Sequence, residues 1–130
     1  MNTKSAKILV VDDEPDVTKY LSSLLEDNGF IALTASDGKE GMEIAGREKP
    51  DLISLDITMP NETGVRMLKN LQKNESTKNI PVIVVTGVDV SFKDFIENKQ
   101  HQIKPPIDYF EKPIDREKYI EVIKKILGTS

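Results

Sequence analysis

Cysteine is absent from the 130 residues, which excludes both a disulfide frame and a thiolate metal site. A reducing compartment fits that absence. Histidine occurs once, so no pair of imidazoles is available to hold a transition metal. No run of lysine and arginine offsets the acids, and the net charge of −4 argues against a nucleic-acid surface. The longest apolar runs are strand-sized, well below a membrane span. Residues 1–7 are polar and lack the apolar core of a secretory signal. No Gly/Ser-rich linker precedes Gly128. These absences predict one cytoplasmic domain over residues 1–130, its core at about 6–127, with no direct contact to nucleic acid or membrane.

What is present is an alternation of short apolar runs with amphipathic stretches. Ile8-Leu9-Val10-Val11 reads as a strand ending in Asp12-Asp13. Pro15 suits the first turn of the helix that follows. Val17, Leu21, Leu24 and Leu25 form its apolar stripe, with Tyr20 placed on the same side, and Asn28-Gly29 stops it. Residues 30–35 read as a second strand. Asp37 with Glu40 three positions on forms a capping-box pattern, opening a helix that turns Met42 and Ala45 inward and ends before Pro50. Leu52-Ile53-Ser54-Leu55 is a strand buried on both faces and runs straight into Asp56. A third helix is expected over 64–74, with Val65, Leu68 and Leu71 inward. A fourth strand at 82–85 ends in Thr86-Gly87. Phe92, Phe95 and Ile96 suggest a short helix, and 107–111 a last strand ending in Lys112-Pro113. Asp115 can cap a final helix bearing Tyr119, Ile123, Ile126 and Leu127.

Strand and helix alternate five times, which calls for a doubly wound α/β domain, a parallel sheet with helices on both faces. In such a sheet the carboxyl ends of the strands share one edge. Asp12, Asp13, Asp56, Thr86 and Lys112 all fall at those ends. Taken singly, each has a plainer explanation: the aspartates as helix caps, Thr86 as a turn hydroxyl, Lys112 as a solvated charge. Together they point to one site. Three carboxylates in close company need a cation, and oxygen ligands without Cys or paired His suit Mg²⁺. Lys112 and Mg²⁺ would neutralise a phosphoryl group, Thr86 would donate a hydrogen bond to it, and Asp56 would be the nucleophile forming an aspartyl-phosphate.

This ordered set resembles the receiver domain of response regulators in two-component signalling, over essentially the whole chain. The matching residues are Asp12-Asp13, Asp56, Thr86-Gly87 and Lys112-Pro113 at four strand ends, with Met59-Pro60 and Gly64 in the loop beyond Asp56. The resemblance implies a flavodoxin-like, five-stranded parallel sheet in the order 2-1-3-4-5. It implies that Asp12, Asp13, Asp56 and the backbone carbonyl of Thr58 hold Mg²⁺. It further implies that Asp56 accepts phosphate from a sensor histidine kinase, with Lys112 and Thr86 binding the phosphoryl group. The domain would catalyse only its own phosphorylation and dephosphorylation, and would control an unidentified downstream protein or output domain. Tyr109 matches the aromatic that reorients with Thr86 on activation, although a half-buried strand aromatic accounts for it equally well. The Lys112-Pro113 bond is expected to be cis.

The chain departs from the family over 89–106, where the stretch is longer than usual and Lys104-Pro105-Pro106 replaces a Gly-Ala-like turn. A frayed helix and a mobile loop over 99–104 are expected there, with His101 a solvated residue. Three rival readings stand against this one. A degenerate receiver serving as an interaction scaffold is disfavoured because all five site residues are present. A haloacid-dehalogenase-like phosphatase needs a second acid where this chain has Thr58. A flavodoxin-like cofactor binder needs a Ser/Thr/Gly-rich phosphate loop where this chain has Asp12-Asp13-Glu14.

Overall fold

The apolar runs become strands because their β-branched and aliphatic side chains fill both faces of a sheet. In a computed structural model describing residues 5–87 and 107–128, β1 (Lys7–Val11), β2 (Ile31–Ala35), β3 (Leu52–Asp56), β4 (Val82–Thr86) and β5 (Asp108–Glu111) pair in parallel. Their order is β2-β1-β3-β4-β5, as the sequence implied. β3 and β4 are buried along their whole length, whereas β2, at an edge, is largely open. The expected helix at Phe92, Phe95 and Ile96, the loop over 99–104 and His101 lie outside the described residues.

Side-chain alternation along each strand divides the core in two. Leu9 and Val11 of β1 join Ile53, Leu55 and Val84 on one face, where they meet Ala45 of α2 (Gly38–Glu48) and Met67, Leu68 and Leu71 of α3 (Thr63–Lys73). Ile8 and Val10 join Leu52, Ile83 and Phe110 on the other face. There they meet Leu21 and Leu25 of α1 (Pro15–Asp27) and Tyr119 and Ile123 of α4 (Arg116–Leu127). Helices therefore cover both faces, which is what lets a parallel sheet bury its centre.

Local chemistry sets the helix ends. Pro15 occupies the first turn of α1. Asp37 accepts from the Glu40 amide at 2.8 Å, and Glu40 reaches back to the Ser36 amide at 2.6 Å, one residue before the cap. Asp115 accepts from the Glu117 and Lys118 amides, and Gly128 closes α4 at φ +73°. One expectation fails: Tyr20 is 49% exposed and not on the buried stripe. Its spacing from Val17 puts it at the margin of that stripe, and the core covers the other margin, at Leu21 and Leu25.

Candidate functional site

Beyond β1, β3 and β5 the ladder extends one step into the loop. The Asp12 amide donates to the Ala35 carbonyl at 3.1 Å, the Ile57 amide to Val85 at 3.0 Å, and the Lys112 amide to Thr86 at 2.8 Å. These bonds hold the polar residues at the sheet edge instead of releasing them into mobile loops. Asp12 then turns the chain, its Oδ1 accepting from the Glu14 amide at 2.9 Å, and α1 starts at the next residue. After Asp56, Met59 is buried and anchors the loop, Asn61 takes a left-handed conformation at φ 59°, and a single 3₁₀ turn leads into α3. Gly64 permits that entry, because a Cβ there would collide with the Asp56 carbonyl. Beyond Lys112 the bond to Pro113 is cis, as expected.

Asp12, Asp13, Glu14 and Asp56 offer carboxylate oxygens that lie within 4.8 Å of one another. Lys112 Nζ sits among them, 3.0 Å from Asp12 Oδ2, 2.8 Å from Glu14 Oε1 and 3.3 Å from Asp56 Oδ2. Asp12 and Asp56 are 2% exposed, whereas Asp13 and Glu14 face solvent. Burial pushes the Asp12 carboxyl above its usual range against the Glu14 amide and Lys112, and the charge of Asp56 adds to the rise. Burial works to lower the Lys112 pKa, yet the hydrogen bonds to Glu14 and Asp12 and the charge of Asp56 carry it above the ordinary lysine range. One ammonium thus stands against four acids. Hard oxygen donors at this spacing fit a divalent cation of the Mg²⁺ kind, and nothing softer is offered among the described residues.

The structure brings Asp12, Asp13, Asp56 and Lys112 into a single group, and places Thr58 directly against Asp56. Thr86 is buried at the end of β4, paired with Glu111 of β5. Tyr109 pairs with Val84, two positions back from the edge, and is 47% exposed. Two contributors went unassigned in the sequence. Glu14 gives Lys112 its shortest contact, and its adjacency to the acid pair was a usable signal. The Thr58 hydroxyl donates to Asp56 Oδ1 at 2.6 Å, and no sequence pattern marks it.

The profile of the response regulator receiver domain matches residues 8–124. Protein PilH of Pseudomonas aeruginosa is 37% identical over 123 residues, covering 95% of this chain and 98% of PilH. Longer transcriptional regulators match as well, with 28% to 48% of their length covered. Among solved structures, a CheY-like response regulator receiver domain protein from Methanospirillum hungatei superposes with a TM-score of 0.82 at 25% identity, covering 96% of this chain and 95% of that one. The receiver domain of the sensor histidine kinase PA1611 from P. aeruginosa superposes with a TM-score of 0.80, covering 97% of this chain and 100% of that one. At 22% identity that likeness is one of fold, and that domain carries a magnesium ion in its active-site cleft.

Proposed function

The chain belongs to the response regulator receiver domain family, and from that premise we propose that it is a phosphoacceptor switch. Asp56 takes a phosphoryl group from a sensor histidine kinase in a Mg²⁺-dependent reaction. A carboxylate oxygen of Asp56 attacks phosphorus, the P–N bond to the donor imidazole breaks, and the imidazole leaves with the electron pair. The observation that carries this reading is the buried carboxylate of Asp56 3.3 Å from the Lys112 ammonium, inside a cluster of acids that one lysine does not neutralise.

Asp12, Asp13, Asp56 and the backbone carbonyl of Thr58 would hold Mg²⁺, whose charge offsets that of the phosphoryl oxygens when it is bound. Lys112 neutralises the same group from the β5 side, and the Thr86 hydroxyl donates a hydrogen bond to it. Tyr109 and Thr86 then shift together, and that two-state change governs a downstream protein or output domain. Residues 1–130 act as a single receiver domain in the cytoplasm, catalysing only its own phosphorylation and dephosphorylation.

Intact-mass spectrometry after incubation with acetyl phosphate and Mg²⁺ tests this. In that case a P–O bond breaks and acetate leaves. One phosphate should be gained, and both EDTA and Asp56→Asn should prevent it. A wild-type chain that stays unmodified favours a scaffold that binds partners without taking phosphate.

A further inference from the structure

Asp56 is engaged at both of its oxygens. Oδ2 faces Lys112 Nζ, while Oδ1 accepts two hydrogen bonds from Thr58, one from its amide at 2.8 Å and one from its hydroxyl at 2.6 Å. That hydroxyl oxygen is used twice, because it also accepts from the Gly87 amide at 3.3 Å, across 29 positions of sequence. One side chain therefore spans the gap between the ends of β3 and β4. A Cβ on Gly87 would stand 3.4 Å from Thr58 Oγ1 and 3.6 Å from Lys112 Cδ, so Thr58, Gly87 and Lys112 close on one another around the Asp56 rim.

The Thr58 O–H donates to a carboxylate, which makes that bond charge-assisted. The bond from Gly87 is the weaker partner, since a neutral hydroxyl oxygen is the acceptor. A phosphoryl group on Asp56 would bring charged oxygens into the same gap, where they are stronger acceptors for the Gly87 N–H than a hydroxyl is. We propose that the Thr58 side chain is a positioning residue, an off-state tether that holds Gly87, and with it the end of β4 at Thr86, against unmodified Asp56. Modification displaces the hydroxyl by exchange of hydrogen bonds alone. This inference rests on the phosphoacceptor reading and adds a direction to it. A contact made only in the unmodified state biases the equilibrium toward that state and slows departure from it. Thr58 and Gly87 both lie at the solvent edge, so the tether can open without disturbing the core.

Thr58→Val removes the hydroxyl and keeps the shape, whereas Thr58→Ser keeps the hydroxyl. Two measurements on the whole chain decide the matter: the NMR shift of the Gly87 amide without phosphodonor, and the rate of modification by acetyl phosphate at saturating Mg²⁺. Thr58→Val should move the Gly87 amide and raise the rate about 3- to 10-fold, the size of one net hydrogen bond. Thr58→Ser should resemble wild type in both. An unmoved Gly87 amide in Thr58→Val overturns the tether, and so does a moved amide with an unchanged rate. If no variant is modified, wild type included, the phosphoacceptor reading fails and the switching role of the tether falls with it, a moved amide then showing only the Thr58–Gly87 contact.

Discussion

Lys112 Nζ and Asp56 Oδ2 stand 3.3 Å apart across 56 positions of sequence, and the same ammonium lies 3.0 Å from Asp12 Oδ2. The ammonium is the only cation the described residues place in this acid cluster. Both of these acids are 2% exposed and the lysine side chain 19%.

Lys112→Met should therefore strand two buried acids. We expect a loss of about 2–3 kcal/mol in metal-free urea unfolding, less than the ~3–5 kcal/mol typical of a fully buried pair because Lys112 reaches solvent. Mg²⁺ should restore most of the loss by replacing the missing positive charge. Equal weakening in Mg²⁺ and in EDTA would mean that the cluster does not take the ion.

Asp12 carries the opposite sign of effect. Its pKa is raised above 3.8, first by burial and then by Asp56, against the Glu14 amide and Lys112. An acid raised on folding contributes stability that is fully present below 3.8 and lost as the pH climbs through the raised value. Lys112 stays protonated throughout that window. Asp12→Asn keeps the shape without the charge, so it should be more stable than wild type at pH 7 in EDTA, by on the order of 1 kcal/mol. The advantage should vanish below about pH 4. Melts across that range decide it, and an advantage that grows toward acid would contradict the assigned direction.

Two glycines should respond in opposite ways. Gly64→Ala drives a methyl into the backbone carbonyl of Asp56 at the entry to α3. It should cost more than about 2 kcal/mol, as overpacking against backbone does. Gly46 is exposed within α2, and a Cβ there would meet nothing within 4 Å. Gly46→Ala should stabilise by about 0.5–1 kcal/mol through helix propensity. Chemical denaturation of the two variants side by side reads both signs.

Tyr119 is fully buried and meets Phe110 edge-on, with ring centroids 5.6 Å apart. Its hydroxyl and that of Ser54, two residues before Asp56, have no partner at full hydrogen-bonding geometry. Burial and then the Asp12 charge raise the phenol pKa, and the nearby Ser54 hydroxyl eases that rise. Tyr119→Phe should thus be neutral or stabilising by up to about 1 kcal/mol, since it removes an unpaired buried hydroxyl. A loss larger than that in thermal melts would reveal an internal water bonded there.

Among the described residues, the elements and the caps at Asp37 and Asp115 were legible in the chain because periodicity and capping are local properties. So was the placing of Asp12, Asp13, Asp56, Thr86 and Lys112 at strand ends, since an apolar run that stops at a polar residue marks its own end. Nearness was not local. Asp12 meets Asp56 because β1 and β3 are neighbours in the sheet, and Lys112 reaches both although β4 lies between β3 and β5. The exposure of Tyr20 depended on which margin of α1 the core would cover. Glu14 on Lys112 and the Thr58 hydroxyl on Asp56 and Gly87 arise from the turns after β1 and β3. Residue type and spacing choose the elements, whereas contacts between them depend on strand order and turn geometry, which exist only once the sheet has closed around its core.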